Sequence, residues 1–289
     1  MSEAQPNVMR LRLGGALKML RRRAGLNLDD AAARIGLPSG ATLSKVENAK
    51  RLVAVTALDA FFTAYDVGEG DARREEIRKL ATLAGSTRRA NLLRQYGDAV
   101  PDPFVDYLEL EDLAAQADIY ASQVIPGILQ TSDYAHAVID GGRRWRTERE
   151  VRTFAELRMQ RAAVLTRDSP LPVWCILDEA ALRRVMGGPA VMAEQLHHLL
   201  ALHERHPHVQ IQVLPFTVGA HPAQDGSHTI FRFDAGSPVV VVEPMTTSLY
   251  LEEDSDVGQY DVNFNHLRSQ ALDTKRSRAF IRDVIKEIR

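Results

Sequence analysis

Leucines at positions 13, 17 and 20 recur at intervals of four and three, which lays an apolar stripe along a helix over residues 9–24. Gly25 follows where a helix accepts a left-handed terminator. Asn27 is placed to cap a second helix. Asp30, three positions on, completes an approximate capping box, and Ala31, Ala32 and Ile35 give that helix a small-residue face which another helix can approach closely. It ends at Gly36. Ser39 then caps a third helix, in which Leu43 and Val46 turn inward while Gly40, Ala41, Thr42, Ser44 and Lys45 occupy the exposed start. Thr56 and Asp59 open a fourth, with Leu58, Phe61 or Phe62, and Tyr65 closing a small core. Two short helices joined by a glycine-containing turn form a helix-turn-helix.

Further along, a charged amphipathic pattern over 71–84 predicts a helix leading out of this head, with a joint at 85–89. Residues 86–165 read as mainly helical, broken at 97–103 and at Pro126-Gly127. Pro-Gly stops one helix there, and Thr131 or Ser132 caps the next, with Asp133 near its positive end. On these residues alone the corner is a rigid helix-to-helix turn. After Pro170 the period changes to two, with β-branched runs at 172–177, 209–214, 227–233, 239–242 and 248–251, and a helix over 189–205 between the first two. Helices over 256–271 and 273–288 finish the chain, the latter begun by Asp273. The expected divisions are an all-α head over 1–70, a helical connector or dimerisation region over 71–165, and a mixed α+β domain with one central sheet over 166–289.

Composition changes this picture in one respect. The 289 residues are 45% hydrophobic and 26% charged, which excludes a disordered or fibrous chain. Apolar runs such as 239–242 fall far short of the roughly 18 residues of a membrane span, and MSEAQPN lacks a signal peptide's apolar core, so the expectation is a cytoplasmic protein with no membrane association. The single cysteine, Cys175, offers neither an internal disulfide nor a thiol pair for zinc. A net charge of −2 argues against a nucleic-acid partner, but the distribution is uneven. Residues 1–65 hold ten basic and five acidic side chains, a net of +5, and the remaining residues hold 26 basic and 33 acidic, a net of −7. A basic head on an acidic body suits a modular nucleic-acid binder, because phosphate neutralisation is local. Charge alone leaves open a chance cluster at Arg21, Arg22 and Arg23, which would also suit a helix C-terminus.

Catalytic and metal chemistry find little support. His197, His198, His203, His206 and His208 fall within twelve residues, but only His203 and His206 share a helical face and no carboxylate or thiol set completes a tetrahedral site. His221 and His228 flank a Gly/Asp loop at 222–226 that reads most simply as a hairpin connection. Beyond residue 79 lysine occurs only at Lys275 and Lys286, which leaves no serine–lysine dyad for self-cleavage, and the acidic run Glu252, Glu253 and Asp254 reads as charge at a helix start. There is no phosphate-cradling glycine loop and no nucleophile elbow, so the expectation is a non-enzyme without cofactor or metal.

The run Leu20-Arg21, Ala24-Gly25-Leu26-Asn27, Ala32, Ile35-Gly36, then Thr42-Leu43-Ser44-Lys45-Val46-Glu47-Asn48, and Tyr65-Asp66-Val67 resembles the Cro/cI-type helix-turn-helix domain of the XRE family of transcriptional regulators, a lambda-repressor-like fold. The resemblance implies a third helix lying in the major groove of double-stranded DNA, with DNA contacts from Asn27, Ser39, Gly40, Ala41, Thr42, Ser44, Lys45, Asn48, Lys50 and Arg51. Gly40 and Ala41 cannot make bidentate base contacts, so the sequence reader is thin and Lys45 is its one long donor. The family pattern also implies a structural ion pair between Arg21 and Glu47. Further on, Ile125-Pro126-Gly127-Ile128-Leu129-Gln130-Thr131 with Asp133-Tyr134-Ala135, and Arg158-Met159-Gln160-Arg161 after it, resemble the second domain of a large group of bacterial XRE regulators described as antitoxin-like. That resemblance implies a regulator whose acidic body binds a small protein encoded by a neighbouring gene, and a dimer is expected because one small head buries too little surface for selective binding. The alternative is a repressor that holds a small molecule in its sheet domain, and a third reading is an enzyme with a DNA-targeting head.

Overall fold

The computed structural model describes residues 8–85, 102–142, 147–234, 237–243 and 248–288. The chain divides into two compact units, with the main boundary between Gln95 and Tyr96.

The first unit is all helix: α1 (Val8–Arg23), α2 (Leu28–Ile35), α3 (Gly40–Glu47), α4 (Leu58–Ala64) and α5 (Ala72–Ala84). The caps are local chemistry. Asn27 Oδ1 accepts the Asp30 N–H at 2.9 Å, and Gly36, at φ 84°, terminates α2 by donating to Ala32 and Ala33. Leu13, Leu17, Leu20, Ala31, Ala32, Leu43, Val46 and Leu58 are buried, as are both Phe61 and Phe62. A Cβ on Gly14 would lie 2.5 Å from the Glu47 carbonyl, so glycine lets the backbones of α1 and α3 touch. A 3-10 turn at Val55–Ala57 leads into α4 without a side-chain cap, and Asp59 instead meets Arg78 at 2.7 Å and Arg74 at 3.3 Å on α5.

The second unit is a mixed α+β domain. Its helices are α6 (Asp102–Leu113), α7 (Ser132–Gly141), α8 (Glu148–Arg161), α9 (Glu179–Arg183), α10 (Pro189–Arg205), α11 (Asp254–Gln270) and α12 (Thr274–Glu287). Its strands are β1 (Gln116–Ala121), β2 (Val173–Asp178), β3 (Val209–Leu214), β4 (His228–Arg232), β5 (Val239–Val242) and β6 (Leu249–Leu251), in the sheet order β3-β2-β1-β4-β5-β6. β1, β2 and β3 are parallel, with Ile119 opposite Cys175 and Cys175 opposite Ile211, while β4, β5 and β6 continue antiparallel. Tyr120, Ile176, Ile230 and Val240 on one face pack against Val257, Phe264 and Leu267 of α11.

Two expectations are corrected here. The stretch 71–165 is not a separate helical connector: α5 packs on α1 in the first unit, whereas β1 lies inside the sheet of the second. β1 escaped the periodicity because five of its six residues are buried, which removes the in-out alternation. The loop at 222–226 is not a hairpin connection either, since two strands separate β3 from β4 in the sheet. The joint at 85–89 and the break at 97–103 lie largely outside the described residues. Among the described residues no helix is long and apolar enough to cross a membrane. His203 Nδ1 lies 3.1 Å from the Val209 carbonyl and His208 Nε2 3.0 Å from that of Leu165, so both serve backbone groups.

Buried polar groups fix the register of the body. Arg232 on β4 donates to Asp118 of β1 at 2.7 Å and to Asp261 of α11 at 2.6 Å. The Pro126-Gly127 corner is pinned from three sides. Gln195 of α10 donates to the Leu129 carbonyl at 2.8 Å and accepts the Thr131 N–H at 2.6 Å, Gln130 donates to the Ile125 carbonyl at 2.6 Å, and the Ile125 N–H donates to the Tyr134 hydroxyl at 3.2 Å. Thr131 then caps α7.

Replacing Gln195 with leucine keeps the volume but strands a carbonyl and an N–H, and a loss of about 2–4 kcal/mol is expected in a urea titration. His228, 4.9 Å from the Tyr260 ring and close to Tyr120, is held down to about 4 by burial, against which the backbone hydrogen bond at Gly226 acts. The unfolded imidazole titrates near 6.5, so between these values the unfolded chain binds the extra proton. Stability therefore falls as pH drops from about 6.5 to about 4 and levels off below. His228→Leu is expected to flatten that part of a plot of urea midpoint against pH.

Candidate nucleic-acid interface

The helix-turn-helix is built by α2, the turn through Gly36 and Ser39, and α3. Ser39 Oγ accepts the Thr42 N–H at 3.3 Å and lies 3.3 Å from Thr42 Oγ1, which sets the start of α3. The Gly40 N–H goes instead to Asp29 Oδ1, at 3.0 Å, on the first turn of α2. A Cβ on Gly40 would sit 2.4 Å from that oxygen. Gly40 is consequently buried in the contact between the two helices and does not lie on the exposed start of α3, which corrects its expected placement. Asp29, to which the sequence assigns no role, is the side chain that orients α3. Its signal was the glycine eleven positions on, visible only once the close approach is known.

The remaining expected contact residues separate into two sets. Asn27, Ser39, Ser44 and Asn48 are engaged locally: Asn27 caps α2 and donates to Asp30 at 2.8 Å, and Asn48 donates to the Ser44 carbonyl at 2.8 Å and hydroxyl at 3.2 Å. Ala41 and Lys45 are exposed on α3 and Thr42 is half-buried. After α3 the backbone turns back at Ala49, φ 58°, and the N–H groups of Lys50 and Arg51 both reach the Lys45 carbonyl, at 2.8 and 3.0 Å. Lys45, Lys50 and Arg51, all exposed, thus gather at the C-terminal end of α3. The arrangement offers three exposed cations and a small apolar contact at Ala41. That inventory suits phosphate neutralisation more than dense base readout.

Beneath this surface Arg21 of α1 holds Glu47 of α3, Nε to Oε1 at 2.7 Å and Nη2 to Oε2 at 3.0 Å, and its Nη1 donates to the Leu26 carbonyl at 2.7 Å. The two side chains are 10% and 3% exposed. The hydrogen bonds that Arg21 donates to Glu47 hold its guanidinium above the usual range, against the opposing effect of burial. Burial, with Glu47 nearby, pushes the Tyr65 hydroxyl up as well. Removing either partner as Glu47→Gln or Arg21→Met leaves a buried charge and is expected to cost about 3–5 kcal/mol. The Arg21→Met/Glu47→Leu double variant should lose clearly less than the sum, and additive losses in a double-mutant denaturation cycle would contradict the pairing.

A family described as a helix-turn-helix domain matches residues 12–77, which spans all five helices of the head in whole or part and supports a DNA-binding regulator. No curated protein and no solved structure matches the chain. A second family matches residues 104–283, well over half of the chain and nearly the whole of the sheet domain. The chain therefore belongs to the family described as domain of unknown function (DUF5753), with a helix-turn-helix domain preceding it.

Proposed function

We propose that this protein is a sequence-specific transcriptional regulator of the XRE type that acts as a homodimer on double-stranded DNA in the cytoplasm. The observation that carries the reading is the exposed basic group Lys45, Lys50 and Arg51 beside Ala41 and Thr42, within the first 65 residues, whose net charge is +5. In this reading α3 lies in the major groove, Thr42 and Ala41 meet base edges, and the three cations hold phosphates on either side. Two heads are needed because one such module buries only about 600–1,000 Å² on DNA, and a pair reads half-sites about 34 Å apart. The acidic body supplies the dimer contacts and, by its antitoxin-like character, a surface for a small protein encoded nearby. It regulates; it does not catalyse.

Footprinting of the purified chain around its own gene, with and without the neighbouring product, tests this directly. Affinity should fall steeply with salt, with a log–log slope near −5 if three cations per head each neutralise a phosphate. Lys45→Ala should weaken binding and reduce the magnitude of that slope by roughly one per head while the thermal unfolding curve stays unchanged. Retention of DNA that ignores salt, or no retention at any salt, would count against the reading.

A further inference from the structure

The sequence singled out two segments that DNA binding leaves unexplained, the Ile125–Thr131 corner and the Arg158–Arg161 run. They converge on one cavity of about 170 Å³ inside the sheet domain. Ile125, Pro126, Gly127 and Gln130 come from the corner and Arg158 and Arg161 from the end of α8, and β1 and β5 contribute Ile119, Ala121 and Val241. The two families of lining residue differ in kind. The strand and corner side chains mix aliphatic groups with polar ones, Thr229 of β4 lying in register between Ile119 and Val241 and His228 beside it, whereas α8 presents two guanidinium groups.

The cations are held with care. Arg161 donates through Nε and Nη2 to Glu111 at 2.9 and 2.7 Å, with its guanidinium 4.8 Å above the Tyr107 ring. Its third nitrogen, Nη1, faces Gly127, where a Cβ would lie 3.0 Å away. A side chain at 127 would therefore press against that guanidinium at the cavity wall. Arg158 donates to Gln130 Oε1 at 3.1 Å, and Gln130 in turn holds the corner carbonyl of Ile125, so the guanidinium is positioned from below. Glu243 is the one carboxylate on the lining, and it is exposed.

Size and chemistry together restrict what fits. Drug-sized sites run to about 300–1,000 Å³, whereas a cavity of about 150 Å³ suffices for a single benzene ring. A guanidinium prefers a planar anion, and with the Arg161 fork committed to Glu111 that preference falls chiefly to Arg158, while Ile119, Ala121 and Val241 favour an apolar body. We propose that this cavity is a binding site for a small organic carboxylate with an aromatic or branched aliphatic body, its carboxylate on Arg158 and the Nη1 side of Arg161, its body against Ile119, Ala121 and Val241. The proposal goes beyond DNA binding and does not rest on it.

Calorimetry and thermal shift on the full chain with benzoate and 3-methylbutanoate test the site, with benzyl alcohol and benzylamine as shape-matched controls. At least one carboxylate should bind saturably at one per chain and raise the unfolding temperature, while the alcohol and amine do neither. Arg158→Gln should weaken carboxylate binding at least tenfold. Because that change also removes the bond to Gln130, Ala121→Leu serves as the second variant: it fills the cavity, leaves both arginines in place, and should abolish binding while the chain still footprints DNA. Absence of binding by both carboxylates up to about 20 mM, well above a 1 mM dissociation constant, would overturn the proposal. So would equal binding of the uncharged control, or undiminished binding by Ala121→Leu. The footprint is read separately, so loss of DNA binding with the ligand titration intact would overturn the regulator reading and leave this site standing.

Discussion

A buried guanidinium has to be met by a carboxylate, and this constraint ties together elements that the backbone alone would leave loosely associated. In the head, Arg21 brings Glu47 of α3 to α1 and at the same time holds the Leu26 carbonyl between α1 and α2, so one side chain fixes the tilt of the second helix of the helix-turn-helix. In the body, Arg161 does the same between α8 and Glu111 of α6, and Arg232 joins β4, β1 and α11 through Asp118 and Asp261. Replacing such pairs by apolar residues can be energetically neutral, so their value lies in specifying one arrangement among several that hydrophobic packing would tolerate.

Geometry that depends on neighbouring residues was readable from the sequence. Asn27, Ser39, Thr131 and Asp273 each cap the helix expected of them, and the period-two runs became β2 to β6 with shifts of a residue or two at their ends. Geometry that depends on distant residues was not. β1 carries Asp118 in a strand buried on both faces, and its polarity makes sense only once Arg232 is known to lie beside it. Gly40 looked like an exposed position on a helix, yet it is the point where Asp29 comes too close for any side chain. The 222–226 loop looked like a hairpin connection because sequence distance says nothing about which strands lie between β3 and β4.

The same distinction explains the Pro126-Gly127 corner. Proline and glycine announce a break in regular structure, but the reason this break is rigid lies elsewhere in the chain, in Gln195 some 65 positions on, which satisfies both a carbonyl and an N–H that the corner exposes. A turn so fully satisfied presents fixed walls, which is the property a cavity beneath it needs.

The position of β1 has a consequence for how the chain comes to be folded. The helices of the head close on partners fewer than 80 positions away, but the pairing of β4 with β1, and of Arg232 with Asp118, spans 114 positions. Local contacts form fast and distant pairings slowly, and a growing chain presents its N-terminal segment first. On a ribosome the head can assume its shape while the body still lacks β4. A newly made chain thus passes through an interval in which the helix-turn-helix domain exists without a complete sheet domain, and the speed of sheet closure sets how long that interval lasts.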